Sequence, residues 1–516
     1  MLKSLFLTGE AFFMGQSASK LEKSHNLIIF DNSAPTPPDS ILDPLEDHAS
    51  DRYDRTWIIL LAAVVIPRLI SIYCFYLYDD AFITFRYATN LVNGLGFTYN
   101  PGERVQGTTS PLWAMLLAIP YQLGLGIELS SRVLGLLADA AALTAALWAL
   151  RRENLAAAAV WCGFLFAVDL YLAKIAVGGM ESSLFLLCSV SAAYLTLTNR
   201  KSAAAVLAAC SVFLRPEALL FALCLIGFVW YEEKRFPWRS ALVGAAVIVA
   251  GVGLQWAYFG DLIPQSVRGK MGLARTYSGL CKLVLFPAKD PLQALMTVTS
   301  LISLPYALRV SRFVRLYGLW TLVLFCAWLI SGAHLWMWYC VPIFFIKTVI
   351  TGLGIARYIP QIVRWVRPWI ALIAVAAAWI ALALIIGPDP VERHVYHRIR
   401  QWAADKDFSG QSAYGMDFGA IGFYTDLRIL DEPGLVWPRS ITRYYTDPKA
   451  ILLGEKPEWA FVTCYDGNIE MMRSPELEML YEPVERFSET GNTDLWPEPE
   501  HVSADWVKDF ILYRRR

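Results

Sequence analysis

Apolar runs of roughly 17 to 25 residues recur from Trp57 to Ile386, and that is the length a helix needs to cross the hydrocarbon core of a bilayer. The sequence therefore reads as a polytopic membrane protein. Composition agrees: of 516 residues, 56% are hydrophobic and only 17% charged. The net charge is zero, which leaves no electrostatic case for a nucleic-acid partner.

Arginine and lysine set the expected topology. Spans are expected at Trp57–Leu77, Ser131–Leu150, Leu155–Leu172, Ser182–Thr198, Ala203–Leu214, Ala218–Trp230, Ala241–Tyr258, Leu292–Leu308, Tyr317–Ser331, Leu335–Leu353 and Ile370–Ile386, eleven in all. This count puts Arg151/Arg152, Arg200/Lys201, Lys234/Arg235/Arg239, Arg309/Arg312/Arg315 and Arg357/Arg364/Arg367 on one side, the cytoplasmic one. The short run Pro111–Gly126, interrupted by Pro120, would put Arg151 and Arg152 outside if it crossed; it is expected to lie on the exterior face instead.

Three regions follow. Residues 1–56 are polar and rich in Pro and Asp, the composition of a disordered cytoplasmic tail. Residues 57–387 form the membrane domain, with a long exterior loop at 78–130. Residues 388–516 are far more polar and hold β-like runs at Trp459–Cys464 and Phe510–Tyr513, which suggests a small exterior α/β or α+β domain. The cysteines lie mostly inside apolar runs with no metal-ligand spacing; Cys281 and Cys464 are the two that exterior segments would allow to pair.

Candidate chemistry collects on the exterior side. Asp79 and Asp80 follow the first span, where ionisable groups are costly unless solvated, paired or used. Either can serve as a general base for a sugar hydroxyl, or Asp80 can simply cap the helix beginning at Ala81. Arg86 and Tyr87 are candidate substrate contacts, with ion pairing and interfacial anchoring as the structural alternatives. Glu181 in GGMESS faces the same space. Arg215 can meet a phosphate or pair with Glu217, itself a candidate contact. The loop from Tyr258 to Leu283 carries Arg268, Lys270, Arg275 and Lys282 against the positive-inside trend, suited to a donor phosphate or to anionic headgroups. His334 and Tyr339, beside Trp336 and Trp338, are further possible substrate contacts. Zinc-hydrolase, P-loop and nucleophilic-serine motifs are missing from suitable places.

Together DDAFITFRYATNL, NPGERVQGTTSPLW, GGMESSLF, LRPEALLF, YFGDLIPQS and DFGAIGFYTDLRILDEPGL resemble the GT-C superfamily of integral-membrane glycosyltransferases, over about Trp57 to Leu435. Within it the resemblance is to the bacterial branch that includes cell-wall arabinofuranosyltransferases. It implies an inverting transfer of a monosaccharide from a polyprenyl-phosphate donor to a cell-envelope acceptor, at the external face of the bacterial inner membrane. It also implies an aspartate base, mapping to Asp79 or Asp80, and no required cofactor, although adjacent aspartates can hold Mg²⁺. A transporter or flippase for a lipid-linked sugar is the competing class, and a non-catalytic polysaccharide-binding partner a third.

Overall fold

The computed structural model describes residues 44–272, 290–331, 336–359, 368–386, 394–464, 466–489, 495 and 509–516. Cys281, Arg275, Lys282 and His334 lie outside them. Residues Tyr53–Arg516 form one compact unit.

The chain runs through α1 (Pro44–Cys74), α2 (Asp79–Val92), α3 (Pro111–Gln122), α4 (Ile127–Arg152), α5 (Ala156–Val168), α6 (Leu170–Ala176), α7 (Ser182–Leu197), α8 (Lys201–Ser211), α9 (Ala218–Glu233), α10 (Trp238–Phe259) and α11 (Gln265–Gly272). Next come α12 (Pro291–Val310), α13 (Arg312–Ser331), a 3₁₀ turn (Met337–Cys340), α14 (Val341–Tyr358) and α15 (Pro368–Ile386). Among the described residues, each segment expected to span is mainly helical. The count of eleven crossings does not follow, however. Among the described residues five helices are long and apolar enough to cross alone, or up to seven if α1/α2, bent by 90°, and α5/α6, bent by 69°, each make one span. The shortfall is one of length: α8 has 11 residues and reaches only about 17 Å, well short of the roughly 30 Å core. Eleven full-length spans are therefore not confirmed among the described residues.

The outer surface of this bundle is apolar, with Leu242, Val249 and Leu254 of α10 and Leu295, Leu301 and Ile302 of α12 all exposed. Contiguous exposed side chains of this kind are stable only against lipid, which makes the protein a multi-pass membrane protein. Inside the bundle, Arg68 of the first apolar run is accommodated by pairing. Its Nε lies 2.9 Å from Asp139 Oδ2 and its Nη1 donates to the Phe166 carbonyl at 3.0 Å. Helix α1 begins at Pro44.

The polar last quarter folds around a five-stranded mixed sheet in the order β2–β1–β3–β5–β4. Its strands are β1 (Ser412–Gly415), β2 (Arg428–Asp431), β3 (Trp459–Thr463), β4 (Tyr481–Phe487) and β5 (Phe510–Arg515). Strands β2, β1 and β3 are parallel, while β5 is antiparallel to β3 and β4. Helices α16 (Val395–Ala403), α17 (Gly419–Thr425), α18 (Arg439–Tyr444), α19 (Pro448–Glu455), α20 (Asp466–Met472) and α21 (Pro475–Leu480) surround it. Alternate residues serve two cores. Ala413, Ile429, Trp459, Phe461, Phe510 and Leu512 join the apolar cluster that continues into the membrane helices. Tyr414, Leu430, Ala460, Val462, Ile511 and Tyr513 face a second cluster with Ile451 and Leu477. Both faces being covered explains why WAFVT reads as an unbroken apolar run.

Candidate active site

The loop at 78–130 and the sheet domain interlock, and this contact sorts the acidic pair. Helix α2 begins at Asp79, with Tyr78 at the N-cap position and no side-chain cap, so Asp80 does not cap its own helix. Asp79 turns instead to the sheet domain. Its carboxylate accepts the N–H groups of Gly419 at 3.0 Å and Ala420 at 2.9 Å, the free donors at the start of α17. Neighbouring positions on a helix point about 100° apart, so Asp80 is aimed elsewhere.

Asp80 lines a polar cavity with Ile83, Thr84, Gly107, Thr108, Thr109, Ser110, Met180, Glu181, Ser266, Lys270, Trp338, Tyr339 and Leu435. Lys270 Nζ lies 3.4 Å from Asp80 Oδ2 and 2.8 Å from the Tyr339 hydroxyl. The two charged side chains keep 27% and 29% of their surface exposed, enough for a ligand to reach both. Burial opposes the lysine's charge, yet Tyr339 and Asp80 against it hold its pKa above the ordinary value. The ammonium stays protonated.

A second charged group stands behind the first. Arg215 is fully buried, with Nε 2.7 Å from Glu217 Oε1 and Nη1 3.2 Å from Glu181 Oε1. Its guanidinium lies 4.4 Å from the Tyr339 ring centre. Burial pushes the Glu181 carboxyl up, against the pull of Arg215. Among the described residues Arg215 Nη2 and Ser266 Oγ find no partner. Tyr339 thus sits between two cations, and the unpartnered Ser266 hydroxyl borders a cavity whose lining includes the carboxylates of Asp80 and Glu181. The arrangement can accept a proton at Asp80 and compensate negative charge beside Lys270.

Other expected contacts are placed differently. Arg86 is buried between the loop and the sheet domain, donating to the carbonyls of Gly422 at 2.7 Å and Leu427 at 2.9 Å and lying 4.5 Å from the Tyr99 ring centre. Tyr87 is buried too, donating to the Val105 carbonyl and accepting from Gly107 N–H at 2.7 Å, so it shapes the cavity wall from behind. Arg268 makes a two-pronged pair with Asp261, both bonds 2.6 Å, on an exposed face and away from the cavity lining. Glu217 reaches the site through Arg215. Among the described residues no three His, Cys, Asp or Glu side chains gather as a metal-binding set.

Sequence reasoning missed Ser266, Thr84, Thr108 and Leu435. Ser266 was within reach, because in QSVRGK it precedes Lys270 by four residues and shares its helix face. Leu435 was not, since it arrives from the sheet domain. Asp431 carries it there: this buried carboxylate accepts the N–H groups of Leu435, Val436 at 3.1 Å and Trp437 at 2.7 Å. Burial pushes its pKa up to about 7, against those three bonds. Asp431→Asn replaces one acceptor oxygen with a donor facing a donor. A loss of about 1–3 kcal/mol is expected, read as a lower melting temperature; an unchanged melting curve would remove this role from Asp431.

No protein-family model matches the sequence, and no curated protein does. Solved structures do. Apo ArnT from Cupriavidus metallidurans matches 89% of this chain and 98% of its own, at 14% identity and a TM-score of 0.58. The Archaeoglobus fulgidus oligosaccharyltransferase AglB, in complex with an inhibitory peptide and a dolichol-phosphate, matches 86% of this chain and 75% of its own, at 13% identity and a TM-score of 0.49. At such identities the likeness concerns fold alone. With 89% of this chain covered, the shared fold takes in both the membrane bundle and the sheet domain.

Proposed function

We propose that this protein is an inverting membrane glycosyltransferase that moves a monosaccharide from a polyprenyl-phosphate donor to an acceptor hydroxyl at the exterior membrane face. The observation that carries the reading is the split of the acidic pair: Asp79 is consumed by backbone donors of the sheet domain, whereas Asp80 faces a cavity with a charged lysine.

Asp80 accepts the acceptor's hydroxyl proton as its oxygen attacks the anomeric carbon, and the sugar–phosphate bond breaks on the opposite side. The electron pair leaves with the lipid phosphate. Lys270, with Arg215 behind Tyr339, stabilises that leaving group through charge-assisted hydrogen bonds. Arg268, paired with Asp261, is left to guide anionic headgroups near the entrance. The proposed setting is the bacterial inner membrane, with a cell-envelope glycan, lipid or protein as acceptor. Arabinofuranose is the sugar that the motif resemblance favours; mannose, galactose and aminoarabinose belong in the same test.

Transfer of radiolabelled sugar from a panel of polyprenyl-phosphate monosaccharides by the purified protein tests the reading. Activity with one donor is expected. No transfer with any donor, but protein-dependent movement of the lipid sugar across liposomes, would replace the transferase with a flippase. No metal or cofactor is assigned to the reaction, because Asp79 and Asp80 point to different partners rather than to one ion. Treatment with EDTA is therefore expected to leave the rate unchanged. A loss restored by Mg²⁺ or Zn²⁺ would overturn that assignment.

A further inference from the structure

At the other end of α7 from Glu181, about 24 Å along its 16 residues, a second cavity opens between the starts of α8 and α10. It is lined by Asn199, Arg200, Lys201, Ser202, Ala203, Glu233, Phe236, Pro237, Trp238, Arg239 and Ser240. We propose that this cavity binds the phosphate of an anionic lipid headgroup in the leaflet opposite the candidate active site.

Charge, position and geometry support it independently of the transfer reaction. Lys201 pairs with Glu233, so these two largely cancel, and Arg200 and Arg239 leave the cavity a net positive charge. The arginines are exposed rather than spent on carboxylates of the cavity. Helices α8 and α10 both begin here, with Arg200 and Pro237 at their N-cap positions and no side-chain cap at either. Both helix starts border the cavity with their positive dipole ends, although the Trp238 N–H is already taken by the Phe236 carbonyl. The Ser202 and Ser240 hydroxyls, 3.4 Å apart, tie the two starts together and add polar contacts.

Aromatic residues place the cavity at a lipid boundary. Trp238 is 56% exposed, and the Arg239 guanidinium lies 5.4 Å from its ring centre. Phe236 packs edge-on against Trp230 at 5.5 Å between ring centroids. Beyond them α10 presents lipid-facing Leu242 and Val249. A phosphate held by Arg200 and Arg239 would leave its acyl chains along that apolar face, with the tryptophan at headgroup depth. A free phosphate offers the cavity the same charge but makes no use of this surface.

The test uses the full-length protein in detergent, with dioleoyl phosphatidylglycerol, dioleoyl phosphatidylcholine and inorganic phosphate as separate probes. Retained lipid is counted by native mass spectrometry and stability by melting temperature. Phosphatidylglycerol is expected to be retained and to raise the melting temperature, with phosphatidylcholine and phosphate much weaker. Arg200→Glu/Arg239→Glu should weaken retention at least about tenfold. Arg239→Gln, which keeps the cavity's shape, should weaken it less and guards against misfolding of the double variant. Arg235→Glu, at the same end but outside the lining, should change little. Retention that survives both cavity variants, or falls equally with Arg235→Glu, would overturn the site in favour of diffuse surface attraction. Stabilisation by phosphate but not by phosphatidylglycerol would overturn the lipid.

Discussion

Asp80→Asn is expected to abolish sugar transfer, lowering kcat by roughly 10²–10⁴-fold, the usual contribution of a general base, with the melting temperature nearly unchanged. Asn keeps the shape and one acceptor oxygen but cannot take up a proton. At the surface of a part-exposed cavity it leaves no buried group stranded, so folding has little reason to suffer. Asp79→Asn should behave in the opposite way. Its carboxylate receives two N–H groups from α17, and the amide can satisfy only one of them, leaving a donor facing a donor. A stability cost on the order of 1–2 kcal/mol is expected, as for loss of a helix cap. Any loss of activity should then follow loosened docking and be recovered in part at lower temperature. The measurement is transfer rate and melting curve for both variants in one preparation. Substantial turnover by Asp80→Asn would sink its assignment as base, and an inactive but fully stable Asp79→Asn would move the role next door.

The membrane helices were legible because bilayer thickness acts on every apolar run alike. The strand at Trp459 was legible because five consecutive buried residues of β type, bounded by turns, have few other uses. What local reading could not settle was the use of the charged motif residues. Arg86 looks like a substrate contact on an exterior helix, but the carbonyl it binds at Gly422 is 336 residues further along. Tyr99 and Asn100 likewise meet Phe418 and Ile429. Much of the FRYATN and YNPGE pattern is therefore an interdomain joint. A signal lay in the small residues of DFGAIGF: glycines at positions 419 and 422 in a short helix mark a face that another backbone approaches closely. Arg268 against Lys270 shows the same limit. Only placement reveals that one is occupied by Asp261 and the other lies against Asp80.

That joint yields the second large effect. A Cβ at Gly422 would lie 2.1 Å from the Tyr99 hydroxyl and 2.5 Å from Arg86 Nη1, and one at Gly419 would lie 2.1 Å from the Asp79 carbonyl oxygen. Neither obstacle is the free end of a flexible chain. Arg86 and Tyr99 are buried and hydrogen-bonded, and the Asp79 oxygen is backbone. Gly422→Ala must therefore push α17 away from α2 and break the bonds from Arg86 to Gly422 and Leu427, leaving a buried guanidinium short of acceptors. Each such loss costs about 1–3 kcal/mol, more where the group is charged. Displacing α17 also moves the segment through β2 to Leu435, which closes the cavity from the sheet side. Gly422→Ala should thus lower the melting temperature by several degrees and cut transfer by about tenfold or more. Gly454→Ala, against the Tyr444 ring in the far core of the sheet domain, serves as a control. It should cost stability with much less effect on the rate of the protein that remains folded. Equal activity losses per folded molecule in the two variants would show that the joint does not shape the cavity. A Gly422→Ala protein with wild-type rate and stability would mean that α17 does not dock on α2 in the working enzyme.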